Sequence, residues 1–319
     1  MALVGLCVPA SSRTEPVASD PFTIERQDAD RFAKLLKASG DRPTAAQLQS
    51  GYLDSGGRGI AVFTPDRIEN AANLARAVDA DPARYRYAID TCLPALDSLN
   101  AGLRRIYGAY AKLLPRRRLP TVHVVFGANN SGGTAALDAQ VLGLEVLCGP
   151  GTTVEQFRNT MRAMFAHETV HSWQGALKPG TAADRDLLLL LALREGVPDY
   201  LATLVTGRVP NAERDRWARG RERALWAEFE SDRKSVARHR SGPFAADATG
   251  DVAIRRWFNN YGSSPDGRPA EAGYWVGMRI AEAYVTRSPN RTAAIEALIR
   301  ADDPIAILKA SRYGSSFGN

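Results

Sequence analysis

The sequence predicts an α+β fold that is mainly α-helical, with a small β-sheet just before a helix that carries two histidines. Three observations predict it. Apolar residues recur at helical spacing in segments that extend to about residue 114. Two apolar runs rich in valine or leucine follow, at residues 121–128 and 140–149. Helical spacing then returns and continues close to the end of the chain.

Residues 1–19 are predicted to be a flexible leader or the remnant of a signal peptide. Residues 1–12 are apolar and end in small residues, but they lack the basic segment of a complete signal peptide. We therefore expect a periplasmic or secreted protein, and a cytoplasmic protein with a disordered tail is the alternative. Residues 20–319 contain no long linker and are expected to form a single domain, with a boundary near residue 118 as the second interpretation.

The N-terminal part is predicted to form a series of helices. The segments 28–39, 42–53, 65–78, 82–91 and 94–114 follow one another, with turn residues between them. Thr44 is expected to cap the second of these helices, because a threonine side chain accepts a hydrogen bond from an amide of the first turn.

Two strand candidates and one long helix come next. Residues 121–128 and 140–149 are the strands, and residues 129–136 are predicted to be a loop rich in glycine and asparagine. The helix is expected to begin after Thr153, with Gln156 completing a capping box. Its apolar face is Phe157, Met161, Met164 and Phe165.

The rest of the chain is predicted to be helical. Residues 187–193 read LLLLLAL, which is apolar on all sides and indicates a buried helix. Residues 211–234 are highly charged and are expected at the surface. Segments 251–258, 273–285 and 292–302 are predicted to be closing helices.

Charge and hydropathy argue against two classes of partner. The formal net charge is +6, but the only dense basic cluster is Arg116–Arg118, which lies between prolines and has no nucleic-acid-binding motif beside it. The longest apolar run has seven residues, far below the ~20 that a membrane-spanning helix needs. We expect no nucleic-acid partner and no transmembrane segment.

The cysteines do not suggest a metal pair or a disulfide framework. Cys7, Cys92 and Cys148 are odd in number and widely spaced. Cys92 and Cys148 lie in apolar surroundings and are expected to be small residues of the core.

The stretch FAHETVHSWQG at residues 165–175 carries the clearest chemical motif. His167 and His171 are four residues apart, so they share one face of the predicted helix and can bind one ion. Glu168 lies beside the first histidine, where it can reach a water molecule on that ion. This is the HExxH arrangement of zinc peptidases. The alternative is a pair of structural histidines.

A catalytic zinc (Zn2+) site needs a third protein ligand and one open position. Glu195 is the candidate, since it follows the apolar run 187–193 and a buried carboxylate needs a partner. A salt-bridged structural glutamate is the alternative. Asp199 shares the helix face of Glu195 and is placed to accept a hydrogen bond from one of the histidines, while an ordinary surface aspartate is its alternative. Pro198 is expected to disturb this helix.

HExxH followed by a glutamate on a later helix resembles the gluzincins, the thermolysin-like zinc peptidases. The stretch EGVPD also resembles them in the spacing of Glu195 and Asp199. The resemblance implies a zincin-like metallopeptidase domain in which His167, His171 and Glu195 bind zinc. It also implies that Glu168 is the general base and Asp199 a partner of a histidine ligand.

A second resemblance covers most of the chain. LQSGYLDSGGRGI, NNSGGTA, VLGLEVL, HETVHSWQ, EGVPDYLA and GYWVGMRIAEAY resemble uncharacterised zinc-dependent proteases related to gliding-motility lipoprotein B. The HExxH and EG segments are the specific part. Pro198 stands where such sequences tend to have a small helix-forming residue. This resemblance implies a protease that acts on a peptide or protein substrate.

The expected reaction is hydrolysis of a peptide bond by a metal-activated water, with Glu168 taking the proton. Tyr274, His239 and Arg268 are the candidates for stabilising the oxyanion, and Tyr274 is preferred on the family pattern. The strand within residues 140–147 is a candidate edge for pairing with an extended peptide, or else an internal strand. Its Glu145 is expected either to face the site or to pair with an arginine.

A non-catalytic envelope protein is the alternative from another class. In it the same scaffold would serve binding or assembly, and any metal would be structural. The intact HExxH argues against this alternative, because a binding module needs no base beside its metal ligands.

Overall fold

The structure is a computed structural model that describes residues 22–265 and 267–317. It is mainly helical with a small mixed sheet, so the predicted α+β class is confirmed. The predicted leader at residues 1–19 lies outside the described residues. The single-domain assignment stays a prediction, although one sheet joins strands from both sides of residue 118.

The larger sheet has four strands in the order β1-β2-β4-β3. They are β1 (Ile24–Glu25), β2 (Thr121–Val125), β3 (Gly133–Ala136) and β4 (Ala139–Gly143). β1 and β4 pair with β2 in parallel, and β3 is antiparallel to β4. β4 is buried along its whole length and lies inside the sheet, so the expectation that it forms an open edge is wrong. Among the described residues that edge is β3.

Two other details of this region differ from the prediction. The second strand ends at Gly143, and Leu144–Leu147 forms a short helix, α7. The predicted loop 129–136 contains β3, because Gly133–Ala136 pairs with β4 through a turn at Leu137 and Asp138. Strand pairing depends on contacts outside the segment itself, so its own residues do not determine it.

The N-terminal part is helical as predicted, although the helix Arg58–Phe63 was not predicted and the predicted helix 65–78 is divided at Glu69 and Asn70. The helices are α1 (Gln27–Ala38), α2 (Ala45–Leu48), α3 (Arg58–Phe63), α4 (Ala71–Ala80), α5 (Pro82–Tyr87) and α6 (Asn100–Leu113), with short π and 3-10 segments between several of them. Thr44 caps α2 as predicted, since it accepts a hydrogen bond from the Gln47 amide. One buried apolar cluster extends from Ile24 to Tyr313.

Helices α8 (Val154–His171) and α9 (Leu187–Thr206) carry the predicted site residues. The capping box of Thr153 and Gln156 is present at the start of α8. α9 is buried along most of its length, as its apolar sequence predicts. Pro198 lies inside α9 without ending it.

α13 (Ala272–Arg287) packs on α9 with backbone against backbone. A Cβ atom on Gly277 would lie 1.8 Å from the Ala192 carbonyl oxygen, and one on Gly196 would lie 2.2 Å from the Met278 amide nitrogen. Only glycine fits at such a crossing. Because Tyr274 lies one turn before Gly277, this contact brings the Tyr274 ring to the side of α9 that carries Glu195.

The remaining elements complete the C-terminal part. They are α10 (Ala212–Arg219), α11 (Glu222–Arg238), β5 (Arg240–Gly242), β6 (Ala245–Ala246), α12 (Ala248–Arg255), α14 (Arg291–Arg300) and α15 (Pro304–Ser311). The expectation that residues 211–234 lie at the surface is partly wrong. They form two helices, and Arg214, Asp215, Trp226 and Phe229 are buried because each helix packs one face on the core.

A disulfide joins Cys92 to Cys148, so the expectation of two separate core cysteines is wrong. Both are fully buried, as their apolar surroundings indicated. The bond links the segment before α6 to the residues just after α7, 56 positions further along the chain. Within the described residues, no helix is both long enough and apolar enough to cross a membrane.

Candidate metal centre

The last turn of α8 and the middle of α9 bring three side chains to one point. The Nε2 atoms of His167 and His171 are 3.0 Å apart. The Oε2 atom of Glu195 lies 3.5 Å from Nε2 of His167 and 3.4 Å from Nε2 of His171. The structure therefore places the two histidines and Glu195 together, although the glutamate is 24 positions after the second histidine.

The opposite nitrogen of each histidine is held by a different partner. Nδ1 of His167 lies 2.9 Å from Oδ1 of Asp199, which is buried and is not an ordinary surface aspartate. Nδ1 of His171 lies 2.8 Å from Oε1 of Gln174. Because both partners present acceptor oxygens, each Nδ1 is the protonated donor of its ring.

With each Nδ1–H used in this way, the three facing atoms are all electron-pair acceptors. When both rings are neutral, the two imidazole nitrogens and the carboxylate oxygen have no hydrogen to share, so either a proton on a ring or a metal cation must lie between them. The spacing also suits a metal ion: in a tetrahedral site with bonds of ~2.0–2.1 Å, ligand atoms are ~3.3 Å apart. The residues present therefore fit a zinc ion.

The electrostatic environment of the cluster favours positive charge. Burial lowers the pKa of a histidine, but the carboxylates of Asp199 and Glu195 outweigh it and raise the pKa of His167 to about 10. Burial disfavours the charged form of Glu195 as well, yet the facing rings of His171 and His167 hold its pKa well below the usual range. The negative charges of Asp199 and Glu195 would also stabilise a divalent cation bound between the histidines.

Glu168 lies at the inner side of the cluster. It is buried, and its carboxylate belongs with His167 and His171 to a group whose ligand atoms lie within 4.8 Å of one another. The start of β3 covers it closely, since a Cβ atom on Gly133 would be 2.8 Å from Oε1 of Glu168. The carboxylate is thus fixed between the histidines and the edge of the sheet.

Arg214 connects several parts of the centre, although the sequence analysis did not single it out. Its guanidinium donates to Oδ2 of Asp199 and, at 3.1 Å, to the backbone carbonyl of Glu271 at the start of α13. It also lies 5.0 Å from the ring centroid of Tyr274. A buried arginine in a highly charged helix has no local signal that separates it from its exposed neighbours.

Only one of the three oxyanion candidates contacts the cluster. The Tyr274 ring stacks on His167 with centroids 5.9 Å apart, and its hydroxyl interacts with Glu195. His239 instead pairs with Asp247 at 3.1 Å, beside β5 and β6. Arg268 stacks on Trp257 and pairs with Glu228. Among the described residues, neither His239 nor Arg268 forms an ion pair or hydrogen bond with His167 or His171.

The centre is reachable from solvent on one side. The side chains of His167, His171 and Glu195 are 11%, 19% and 27% exposed, so water can enter next to the glutamate. A closed structural zinc site would bury all of its ligands and use four protein groups. The chain matches no protein-family model, no curated protein and no solved structure.

Proposed function

We propose that this chain is a zinc-dependent peptidase with a zincin-like fold. The observation that carries the proposal is the meeting of three acceptor atoms, from His167, His171 and Glu195, at separations that suit one tetrahedral cation. The partial exposure of the same residues leaves room for a water molecule in the fourth position. The resemblance to the gluzincins agrees with this ligand set.

Zinc held by these three residues would lower the pKa of a water molecule towards ~7 and polarise the scissile carbonyl. Glu168 would take a proton from a water molecule bound beside it and pass that proton to the leaving amine. A carboxylate on α8 that lies close to the start of β3 suits this role, because proton transfer requires hydrogen-bond distance at both steps. Asp199 and Gln174 keep each histidine in the tautomer that binds through Nε2.

Tyr274 is the group that we assign to the oxyanion. Its ring is fixed against His167, and its hydroxyl is beside Glu195, so a carbonyl oxygen bound there would lie within its reach. Burial, first, and then the negative charges of Glu195 and Glu271 raise the pKa of Tyr274 far above its usual range. The hydroxyl therefore keeps its proton and can donate it in a hydrogen bond.

A peptide or protein is the substrate class that the surroundings favour. β3 is one of the two edge strands of the larger sheet among the described residues, and its first residue contacts Glu168. An extended peptide that pairs with β3 would pass directly over the candidate centre. Main-chain pairing of this kind recognises a polypeptide backbone rather than a particular side chain.

The disulfide supports a location outside the reducing cytoplasm. A fully buried disulfide such as Cys92–Cys148 is maintained in oxidising compartments and is rare where thiols are kept reduced. We therefore propose a periplasmic or secreted protein.

A non-catalytic envelope protein with a structural metal is the competing function. Two observations disfavour it: Glu168 has no role as a ligand in such a protein, and the three ligands leave one side of the centre open to water. Metal content alone does not separate the two functions, so hydrolysis must be measured with it.

The test compares Glu168→Gln with Glu195→Ala in zinc binding and peptide turnover. Glu168→Gln should keep its zinc and lose at least about 100-fold in turnover, because an amide cannot accept the proton. Glu195→Ala should lose zinc affinity and turnover together. Glu155→Gln is the matched control, since Glu155 is exposed on the same helix. Wild-type turnover in Glu168→Gln would favour the binding protein, and wild-type zinc affinity in Glu195→Ala would exclude the proposed third ligand.

A further inference from the structure

Pro198 stands in the interior of α9, a position where proline is normally excluded. Its ring nitrogen carries no hydrogen, so the carbonyl of Arg194, four residues earlier, loses its helical hydrogen-bond donor. A buried or half-buried carbonyl must find another partner. The identity of that partner connects the proline to the candidate metal centre.

Gln174 donates a hydrogen bond to the Arg194 carbonyl. Nε2 of Gln174 donates to this oxygen at 2.9 Å, and Gln174 itself is buried in the turn that follows α8. Since the amide nitrogen is committed to Arg194, the amide oxygen faces the other way. That oxygen accepts the Nδ1–H of His171 at 2.8 Å.

We infer that Pro198 and Gln174 are positioning residues for His171: Pro198 leaves the Arg194 carbonyl without its helical donor, and Gln174 bonds both that carbonyl and His171. The carbonyl selects the orientation of the Gln174 amide, and the amide selects the tautomer and the rotation of the His171 ring. Nε2 of His171 then faces Glu195 and His167. This inference rests on the proposed function, because it concerns the metal affinity of the same centre.

We call the chain of contacts from Pro198 through the Arg194 carbonyl and Gln174 to His171 the relay. One further contact indicates that the Gln174 amide does more than hold the turn after α8 against α9. The turn after α8 is also held to α9 by a second bond, from the Arg194 guanidinium to the Gly175 carbonyl at 3.1 Å. The turn therefore keeps an attachment when the Gln174 amide is removed. What the amide adds is a directional acceptor for one histidine, as Asp199 provides for the other.

The test measures zinc affinity by chelator competition, together with the absorption spectrum of the cobalt-loaded protein. Pro198→Ala restores the amide hydrogen, which draws the Arg194 carbonyl back into the helix and away from Gln174. We expect roughly tenfold weaker zinc binding in Pro198→Ala and about 10- to 100-fold weaker binding in Gln174→Ala, with an altered cobalt spectrum in both. The double variant should bind no more weakly than Gln174→Ala, because both changes break one relay.

Gln140→Ala is the matched control, since Gln140 is a buried glutamine that bonds Tyr107 and Thr169 instead of a histidine. It should change the melting temperature while zinc affinity stays at the wild-type value. Wild-type zinc affinity in Pro198→Ala, or effects of the two substitutions that simply add, would overturn the relay. A wild type that binds no zinc would overturn the proposed function as well, and zinc binding without peptide hydrolysis would overturn the peptidase alone.

Discussion

Glu145 is a buried carboxylate that the proposed reaction does not use. Its Oε1 atom accepts the amide of Asn129 at 3.2 Å, and the Gly127 amide also bonds the carboxylate. Its Oε2 atom has no hydrogen-bond partner within the described part of the chain. The side chain faces the backbone of the loop before β3, and Arg84 donates to the backbone carbonyl of Glu145 at 3.3 Å rather than forming an ion pair with its carboxylate.

This environment predicts a pH dependence of stability. Burial raises the pKa of Glu145 from 4.5 to about 7 in the folded state. Between these values the folded protein binds more protons than the unfolded chain, so its stability falls as the pH rises. For a shift of this size the loss is about 3 kcal/mol, complete above pH ~7.

Glu145→Gln removes this titration and should flatten the pH profile. The measurement is the free energy of unfolding of metal-free protein in urea at pH 5 and pH 8. The wild type should lose on the order of 2 kcal/mol more than the variant over this interval, because part of the loss falls below pH 5 and all other titrating groups are shared. Parallel profiles for the two proteins would show that Glu145 ionises normally.

Single residues differ in how far sequence alone predicts their role. His167, Glu168 and His171 form a local pattern whose spacing fixes a shared helix face, so the structure places them as expected. Gln174 and Arg214 were not predicted. Glutamine after a helix and arginine in a charged helix are common, and only contacts with α9 distinguish these two.

At the scale of elements, the helix caps followed from signals within a segment, whereas the end of the second strand at Gly143 and the pairing between segments did not. The capping boxes at Thr44 and Thr153 involve residues three positions apart, and both are present. β3 was predicted to be a loop, because its strand character comes from pairing with β4. The crossing of α9 and α13 at Gly196 and Gly277 also joins distant segments, so no pattern within either segment predicts it.

The contact between β3 and α8 predicts the effect of Gly133→Ala. The new methyl group would lie 2.8 Å from Oε1 of Glu168 and 2.9 Å from the Met164 methyl, so the carboxylate must shift. We expect retained zinc and turnover reduced by roughly 10- to 100-fold, since a misplacement of about 1 Å costs a catalytic group this much. Steady-state kinetics and zinc content measure the two effects.

Gly108→Ala is the control for this substitution. Gly108 lies in α6, and beyond its own helix backbone and chain neighbours no atom lies within 4 Å of an added Cβ, so turnover should be unchanged. If Gly133→Ala hydrolysed peptides at the wild-type rate, β3 would not constrain Glu168, and the peptide path over this strand would lose its support.

For the whole molecule, the disulfide is the covalent link that holds the N-terminal helices to the residues before α8. Cys92 and Cys148 were expected to be separate, because wide spacing carries no information about pairing. Cross-linking residues 56 positions apart restricts the unfolded chain by about 4 kcal/mol in the chain-entropy model.

Removal of this link should therefore destabilise the protein without removing a site residue. Cys92→Ser combined with Cys148→Ser should lower the free energy of unfolding by about 4 kcal/mol, as measured by urea unfolding. Cys7→Ser is the control, since it replaces the third cysteine of the sequence and leaves the Cys92–Cys148 bond intact. Equal stability of wild type and double variant would mean that the bond does not form in solution.

The central claim is that α8 and α9 together hold one zinc ion through His167, His171 and Glu195. The most direct measurement is the metal content of purified wild-type protein after zinc reconstitution and dialysis, by elemental analysis. The account predicts about one zinc per chain, because three ligands and a water molecule complete one tetrahedral site. A stoichiometry near zero would contradict it.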